Sequence, residues 1–305
     1  ARLFYHKGIQ VIGSDIVATS ITKDLENIGI QINSEQSSQN ITKDIDLLVY
    51  TPALTMSHSE LKKAQELGIP IYSYPEFLGL LSKQYQTIAI SGTHGKSTTT
   101  VMTGLIFEAA NLDPTVIVGS QVDTFDHNLR FGSGKYLIAE ACEYRGHMLK
   151  LSPEFIALTN IEADHLDYYK DIDDIVSHFN KFHSKVKVAA LNIDNEYLAG
   201  LARREDITYG IDNKLAHIKA KNITIQNYQQ FFDLYIADEL QGTISLQVPG
   251  IFNIYNALAS IAIAYYYKID FDKIQKALSS YHGCWRRFEV VGEFISVNPL
   301  DVEVA

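Results

Sequence analysis

The sequence predicts an α/β protein with a mostly parallel sheet and a small antiparallel portion. Strand-like and helical segments alternate from the start of the chain to about residue 85, which favours parallel strands joined by helices. At Thr87–Ser91 an apolar strand runs directly into a glycine turn, and a helical pattern follows. Between residues 217 and 249 apolar and polar residues alternate, and this period of two predicts antiparallel strands.

Length, charge and cysteine content limit the class of protein. A chain of 305 residues is long enough for two domains, each with its own core. The net charge of −10 argues against nonspecific binding to nucleic acid, although a local basic pocket for one anionic ligand remains compatible with it. No signal peptide or membrane-length apolar run is visible, so we expect no membrane insertion. Two cysteines far apart in the sequence favour a reducing cytoplasm.

Residues 1–85 are predicted to form a small parallel α/β domain. Its first residues indicate the end of a helix, with Gly8 as the stop, and then a short strand that ends at residues 13–15. The remaining predicted elements are a buried strand within 44–54, a helix at 57–68 and a strand at 69–74. A chain seldom begins inside a β-α-β unit. We therefore expect another strand and its glycine turn to precede residue 1 in the whole protein.

Residues 86–288 are predicted to form a central domain, and residues 289–305 the start of a further one. The helix after the glycine turn is expected from about residue 97 to residue 110. The other predicted elements are strands at 115–120, 135–142, 155–161 and 188–194, and helices at 254–269 and 271–281. Strands that alternate with helices predict that the central sheet is largely parallel.

The glycine turn looks like a shortened phosphate-binding loop. Gly92 stands three residues before Gly95, and Lys96 and Ser97 follow; the common loop would need a glycine where this chain has Ile90. Backbone N–H groups of such a turn, at the start of a helix, bind anions. Lysine would reach the phosphates, and the serine hydroxyl would bind Mg²⁺. The alternative is a plain strand-to-helix turn in which the glycines only relieve steric strain.

Polar side chains follow two further strands of the predicted sheet. Glu140 ends an apolar strand, where a metal-binding carboxylate would lie beside the phosphate loop, and Cys142 is expected at the same buried strand end. The cluster after the next strand is Asn160, Glu162, Asp164, His165 and Asp167. Taken singly, a strand-end acid is common without a metal, and such a cluster is often a solvated loop. Together, the three strand ends fall on one edge of a parallel sheet, where such sheets bind ligands.

Five motifs carry a resemblance to a known family. They are, in order, "GTHGKS", "EACEY", "TNIEADHLDYY", "GIFNIYNALA" and "GCWRRFE". In their order and spacing the chain resembles the Mur ligases, whose phosphate loop has this shortened form. The resemblance implies a Rossmann-like first domain, a central domain of the phosphate-loop ATPase type, and an ATP-driven reaction that joins an amino acid to the carboxylate of a nucleotide sugar. Within the family, the motifs are most similar to those of members that use UDP-N-acetylmuramate and L-alanine.

The resemblance also implies which residues bind ATP. The loop residues that would hold it are Gly92, Thr93, His94, Gly95, Lys96, Ser97 and Thr98. Asn253 and Asn256 would lie near the adenine, although an asparagine at the start of a helix is often only a cap. Arg287 would reach the ATP phosphates, and its neighbour Arg286 is the less favoured candidate.

The metal, catalytic and substrate residues come from the same resemblance. Mg²⁺ would be bound by Ser97, Glu140 and His165. An imidazole ligand is unusual for Mg²⁺, which prefers oxygen, so His165 depends on the resemblance. The implied catalytic residues are Lys96, Glu140, His165 and Arg287, and the implied substrate-binding residues are Ser14, Asp15, Thr51 and Glu143.

Several alternatives stay open from sequence alone. One is a related ligase that adds a recycled peptide or another amino acid, and another is a nucleotide-binding fragment without catalysis. A third is a phosphate-loop kinase or GTPase, and GTP is disfavoured because the chain has no Asn-Lys-x-Asp motif. The family ends in a third domain that helps bind the amino acid, whereas only residues 294–305 follow Glu293 here. We therefore expect this chain to bind Mg-ATP and part of the nucleotide sugar without completing turnover.

Overall fold

The computed structural model describes residues 1–122, 124–125 and 127–283. The first elements along the chain are α1 (Arg2–His6), β1 (Ile12–Ser14), α2 (Ser20–Asn27), β2 (Gln31–Asn33), β3 (Leu48–Tyr50), α3 (Ser59–Glu66), β4 (Ile71–Ser73) and α4 (Tyr74–Ser82). The strands form two separate parallel pairs, β1 with β2 and β3 with β4. The prediction of a parallel α/β arrangement over this stretch is confirmed.

One expectation for this stretch is corrected, and one helix was not predicted. The strand predicted within 44–54 is only three residues long and is not buried, since Val49 is 41% exposed. The physical reason is that β3 pairs with β4 alone and lies in a sheet of two strands. Sequence reasoning also passed over α2, which is capped by Thr19: the side chain of Thr19 accepts a hydrogen bond from the backbone N–H of Thr22 (3.2 Å).

The rest of the described chain forms one large sheet with helices on both faces. Its strands are β5 (Gln86–Ser91), β6 (Thr115–Ile117), β7 (Leu129–Arg130), β8 (Tyr136–Glu140), β9 (Phe155–Leu158), β10 (Ala189–Asn192), β11 (Ile207–Gly210), β12 (Ile218–Gln226), β13 (Gln229–Ile236) and β14 (Glu239–Leu246). Its helices are α5 (Lys96–Ala109), α6 (Ile172–His183), α7 (Glu196–Leu201), α8 (Ile251–Tyr266) and α9 (Phe271–Ser279).

The order of the ten strands is β14-β13-β12-β11-β10-β9-β5-β8-β6-β7. Strands β12 to β14 pair antiparallel, as the period of two predicts, and β7 is antiparallel to β6 at the other edge. The strands between them run parallel. The predicted fold class, a mostly parallel sheet with a small antiparallel portion, is confirmed.

Strand β5 lies in the interior of this sheet, and both of its faces are apolar. Ile88 and Ile90 face a core made with α5, α8 and α9, and both side chains are fully buried. Ala89 faces the opposite core, which contains α6 and also Leu78 of α4 and Leu3 of α1. Residues that alternate along a strand point to opposite faces, so a continuous apolar run is buried on both sides. Helices α1 and α4 thus pack against the large sheet.

Helices α5 and α8 lie side by side and run in the same direction. The hydroxyl of Thr103 contacts that of Ser260 (3.2 Å), and one turn earlier the hydroxyl of Thr99 reaches the side chain of Asn256 (3.4 Å). Both pairs have the same separation in sequence, which requires parallel helices in register. The amino ends of both helices therefore open at the same edge of the sheet.

Among the described residues, no helix combines the length and the apolar character needed to cross a lipid bilayer.

Candidate active site

Three adjacent strands end together at the edge where α5 begins. Strand β5 lies between β9 and β8, and all three are parallel. The register places Ile90 opposite Glu140 on one side and opposite Ala157 on the other. The loops after these strands consequently meet, and the sequence prediction that the three strand ends share one edge is confirmed.

The glycine turn adopts a backbone conformation that only glycine takes without strain. Gly92 has φ +143° and Gly95 has φ +83°. A Cβ at Gly92 would lie 2.0 Å from Oγ1 of Thr159, and a Cβ at Gly95 would lie 2.2 Å from Oδ1 of Asn256. Gly92 therefore allows the loop to approach the residue that follows β9, and Gly95 allows it to approach helix α8.

The loop is fastened to the residues that follow β9. Asn160 accepts a hydrogen bond from the backbone N–H of His94 (2.8 Å) and donates to the His94 carbonyl (3.2 Å). Thr159 donates to the same carbonyl (2.5 Å), and Thr93 accepts from the backbone N–H of Glu162 (2.9 Å). Sequence analysis left this polar cluster open between a site and a solvated loop. The structure shows that part of it fixes the shape of the glycine turn.

The first turn of α5 faces the cradle made by this loop. The first backbone N–H groups of a helix have no partner within the helix, and they bind anions readily. Ser97 and Thr98 are buried in this turn, whereas the side chain of His94 is 63% exposed. The backbone at the start of α5 is thus better placed than the His94 ring to hold a phosphate.

Lys96 lies inside the loop. Its ammonium donates to the carbonyl oxygens of Gly92 (2.6 Å) and Thr93 (3.0 Å). It also forms an ion pair with the carboxylate of Glu143, at 2.9 and 3.0 Å from the two oxygens. The two side chains are only 14% and 6% exposed, so this pair is shielded from solvent.

Glu140 and Ser97 form a second polar pair beside the loop. The hydroxyl of Ser97 donates to Oε2 of Glu140 (2.7 Å), and the backbone N–H of Gly119 donates to the same oxygen (2.8 Å). A Cβ at Gly119 would lie 2.8 Å from the carboxylate, so a larger residue would push it away. Sequence analysis missed Gly119. The signal that could have found it is its position just after β6, a strand that runs parallel to β8 and so ends close to Glu140.

A hydroxyl and a carboxylate at the end of a phosphate loop are the hard oxygen donors that Mg²⁺ prefers. Ser97 and Glu140 therefore fit a magnesium ion that also binds phosphate oxygens and water. Within the described part of the chain, no cluster of three or more His, Cys, Asp or Glu side chains could hold a metal ion by itself.

His165 lies beside Glu143. Its Nε2 is 3.5 Å from Oε1 of Glu143, and its ring is 4.8 Å from that of Tyr144. The backbone of His165 has φ +54°, an uncommon conformation for a residue with a side chain. Strained residues of this kind concentrate at functional sites. The structure brings His165 to the lysine side of the site, and its role as a metal ligand stays a prediction.

Tyr169 fixes the turn that carries Glu143. Its hydroxyl donates to the backbone carbonyl of Glu143 and accepts from the N–H of Gly146 (3.3 Å). Burial, together with the nearby Glu143 charge, raises the pKa of Tyr169 to about 12, so the phenol stays protonated and able to donate. Sequence analysis did not single out this tyrosine.

The two asparagines of α8 lie beneath the loop. Gly250 precedes the helix and no side chain caps it, so the alternative of an asparagine cap is wrong here. Asn253 donates to the carbonyl of Pro249 (2.7 Å), and Asn256 touches Gly95 from below. Both asparagines are about 95% buried. Their place near an adenine stays a prediction.

The residues predicted to bind substrate in the first domain lie at the ends of β1 and β3. The hydroxyl of Ser14 donates to the buried carboxylate of Glu60 (2.7 Å), a residue that sequence analysis missed. Asp15 and Thr51 are exposed. Ser14 and Asp15 line a cleft of about 310 Å³ between β1, β2 and α2. Their contact with a nucleotide sugar stays a prediction.

Two further expectations concern Cys142 and Arg287. Strand β8 ends at Glu140, so Cys142 lies in the following turn and is exposed; the expectation of a buried cysteine is wrong. The predicted arginines Arg286 and Arg287 lie outside the described residues.

The fold and the loop define a phosphate-loop nucleotide-binding protein. Comparison with known families identifies it further. A model described as "Mur ligase family, catalytic domain" matches residues 1–86, and one described as "Mur ligase middle domain" matches residues 90–264. The chain belongs to the Mur ligase family, and the family prediction made from the sequence motifs is confirmed. ATP use follows from membership of this family.

Several relatives are similar along the whole chain. A UDP-N-acetylmuramate–L-alanine ligase of Clostridium novyi is 40% identical over 99% of this chain and 67% of its own length. One of Acetivibrio thermocellus is 43% identical over 96% of this chain and 64% of its own length. The chain thus spans about two thirds of the length of these relatives.

Solved structures agree. The UDP-N-acetylmuramate–alanine ligase of Thermotoga maritima superposes with a TM-score of 0.85 and 27% identity, over 95% of this chain and 67% of that one. A UDP-N-acetylmuramate:L-alanyl-γ-D-glutamyl-meso-diaminopimelate ligase from Neisseria meningitides has a TM-score of 0.81 and 21% identity, over 92% of this chain and 93% of that one. At that identity the second match shows the fold alone.

Proposed function

We propose that the chain is the nucleotide- and sugar-binding part of an ATP-dependent UDP-N-acetylmuramate–L-alanine ligase, which acts in peptidoglycan precursor synthesis in the cytoplasm. The observation that carries this proposal is that the Lys96–Glu143 ion pair and the hydrogen bond from Ser97 to Glu140 lie at the same edge of the sheet. The relatives that match nearly the whole chain bear the name of this reaction.

The central domain supplies the ATP end of the site. The N–H groups at the start of α5 would bind phosphate oxygens, and Lys96 would neutralise the charge of the phosphates. Ser97 and Glu140 would hold Mg²⁺, which when bound offsets the charge of the phosphates. Asn160 and Tyr169 act through the loops that they fasten.

The chemistry requires activation of a carboxylate. A carboxylate is a poor acylating agent, so its oxygen first attacks the γ-phosphorus of ATP, and ADP leaves with the electron pair of the broken P–O bond. The resulting acyl phosphate is attacked by the neutral amine of L-alanine, and a tetrahedral intermediate then expels inorganic phosphate. Proximity of the three substrates and electrostatic stabilisation of the moving phosphoryl group supply the rate enhancement. Arg287, which resembles a family arginine that reaches the phosphates, would add to that stabilisation.

The test is phosphate release from the 305-residue chain with Mg-ATP and UDP-N-acetylmuramate, with and without L-alanine. Release that depends on L-alanine supports the whole proposal. A folded chain that binds both nucleotides without releasing phosphate supports the binding part of the proposal. Turnover would then need the remaining third of the length that the relatives have. Failure to bind either Mg-ATP or UDP-N-acetylmuramate contradicts the proposal.

A peptide-adding ligase is the second candidate, because a solved ligase for an alanyl-glutamyl-diaminopimelate peptide shares the fold. The same assay separates the two. A higher kcat/KM with that tripeptide than with L-alanine would replace the proposed amino acid.

A further inference from the structure

The ammonium group of Lys96 has no hydrogen left for a phosphate. A lysine ammonium carries three donors and no acceptor. The carbonyl oxygens of Gly92 and Thr93 take two of them, at 2.6 and 3.0 Å, and the carboxylate of Glu143 takes the third. The side chain is 14% exposed, so water competes little for these bonds. A nucleotide must therefore displace at least one partner of Lys96 before this lysine can reach its phosphates.

Glu143 is the fixed half of the ion pair. Its carbonyl accepts hydrogen bonds from the hydroxyl of Tyr169 and from the backbone N–H of Gly146 (2.9 Å). The carboxylate is 6% exposed, and Tyr169 is 2% exposed. The turn cannot swing outward without breaking these contacts. Lys96, on a flexible side chain of four methylenes, is the half that can move.

The carboxylate also opposes a nucleotide directly. It lies within 3.0 Å of the ammonium that would bind the phosphates, so it would face them at short range. Like charges at such distances repel strongly where solvent is largely excluded. An arrangement in which Glu143 only braces Lys96 toward the phosphates would leave two ammonium hydrogens free. Here the loop carbonyls take both of them.

We propose that Glu143 is a positioning residue that latches Lys96 inside the empty phosphate loop, and that Mg-ATP binds by drawing Lys96 away from it. The latch rests on the proposed function, since it assumes that ATP is the nucleotide bound. It gives Glu143 a role different from the contact with substrate that the family resemblance implies. Part of the binding free energy of ATP is spent on breaking the ion pair, and the empty loop keeps its shape without a ligand.

The test compares Glu143→Gln with the unaltered chain. Glutamine has nearly the same size and removes the charge. Isothermal titration calorimetry gives the affinity for Mg-ATP and, separately, for UDP-N-acetylmuramate. The matched control is Glu154→Gln, which removes the same charge from an exposed position at the opposite end of β9. The latch predicts that Glu143→Gln binds Mg-ATP about 3- to 30-fold more tightly, with the affinity for UDP-N-acetylmuramate unchanged.

Two other outcomes overturn the latch. Weaker binding of Mg-ATP by Glu143→Gln would mean that the carboxylate braces Lys96 toward the phosphates. Loss of UDP-N-acetylmuramate binding with unchanged Mg-ATP affinity would mean that Glu143 contacts the sugar nucleotide. If the unaltered chain binds no Mg-ATP at all, the proposed function fails instead, and the two failures are thus distinguishable.

A second variant and a second measurement guard against misfolding. Glu143→Asp keeps the charge but shortens the side chain by one methylene, which lengthens the pair with Lys96. The latch predicts Mg-ATP binding at least as tight as in the unaltered chain, and weaker binding contradicts it. Labelling with an amine-directed reagent, measured by peptide mass spectrometry, should modify Lys96 several-fold faster in either variant. Equal rates of labelling would also contradict the latch.

Discussion

The edge of the central sheet that carries the phosphate loop differs sharply from the edges of the two small sheets of the first domain. Around the loop, the strands β5, β8 and β9 are buried on both faces, and Phe155 at the start of β9 is fully buried. In the first domain Ile12 of β1 is 40% exposed and Val49 of β3 is 41% exposed. One region is organised by a deep core, and the other by strand pairs whose largest described cluster has only three buried residues, Ile41, Ala64 and Ile69.

This difference indicates how the two ends of the site are prepared for their ligands. The phosphate loop is held by buried strands, by Asn160 and by Thr159, so its shape exists before any nucleotide binds. The side chains predicted for the sugar end are exposed or, as for Ser14, bonded to a protein carboxylate. Preorganised groups contribute more to binding and catalysis because little must be reordered. Apart from the side chain of Lys96, we expect the ATP end to be rigid and the sugar end to adjust.

Removing a core side chain should affect the two regions very differently. Phe155→Ala leaves a cavity under β9 and should lower the free energy of unfolding by about 3–5 kcal/mol. Val49→Ala removes two methyl groups that are partly exposed, and it should cost less than about 1 kcal/mol. Urea denaturation of each variant measures both values. Similar losses would show that the first domain has a core as tight as that of the central domain.

Replacing the loop lysine should abolish tight nucleotide binding. Lys96→Ala removes the cation that would neutralise the phosphates, so the affinity for Mg-ATP should fall about 100-fold or more. The control is Lys187→Ala, at an exposed position before β10, which should leave the affinity unchanged. Titration calorimetry measures both variants. A small effect of Lys96→Ala would remove this lysine from the phosphate site.

Acid should weaken the central domain through a buried ion cluster. The carboxylate of Asp206 lies 2.9 Å from Nε2 of His183 and 3.0 Å from Nη2 of Arg203. Burial alone would raise the pKa of Asp206, but the hydrogen bonds from His183 and Arg203 outweigh it and lower the pKa to about 2.

Because the folded pKa lies below the ordinary value of 3.8, this stabilisation is present above about pH 4 and is lost as the pH falls toward 2. The loss should be on the order of 2 kcal/mol, and Asp206→Asn should flatten that part of the profile. Unfolding curves from pH 5 to pH 2 measure it. An equally steep profile in Asp206→Asn would exclude this carboxylate as the cause.

The metal side of the site should respond to a smaller change. Glu140→Gln keeps the bond from Ser97 but removes the charge that would hold Mg²⁺, so Mg²⁺-dependent affinity for ATP should fall about tenfold. Binding of ATP in EDTA should change little. An equal loss with and without Mg²⁺ would mean that Glu140 acts by shaping the loop.

The elements around the loop were predictable because their local patterns are strong. Continuous apolar runs that end in glycine or in acidic residues predicted β5 and β8. Because the two strands are parallel neighbours, their register places Glu140 beside the loop. Members of the family share these motifs, which is why the resemblance could assign roles that spacing alone left open.

What the sequence did not disclose depends on contacts between distant segments. The pair of Lys96 with Glu143 joins residues 47 apart, and the bond of Tyr169 to Glu143 joins residues 26 apart. No local pattern encodes such neighbours. Cys142 was expected to be buried because the predicted strand ran two residues beyond the observed end of β8. The burial of β3 was overestimated because burial depends on what packs against a strand.

The proposed function requires a preformed, magnesium-dependent ATP site in the central domain of this chain. The most direct measurement is calorimetric titration of the 305-residue chain with ATP and with GTP, each with Mg²⁺ and in EDTA. We predict saturable binding of one ATP that is much tighter with Mg²⁺ than in EDTA, and much weaker binding of GTP. A folded chain that binds no ATP, or that binds ATP and GTP equally, would contradict the proposed ATP site.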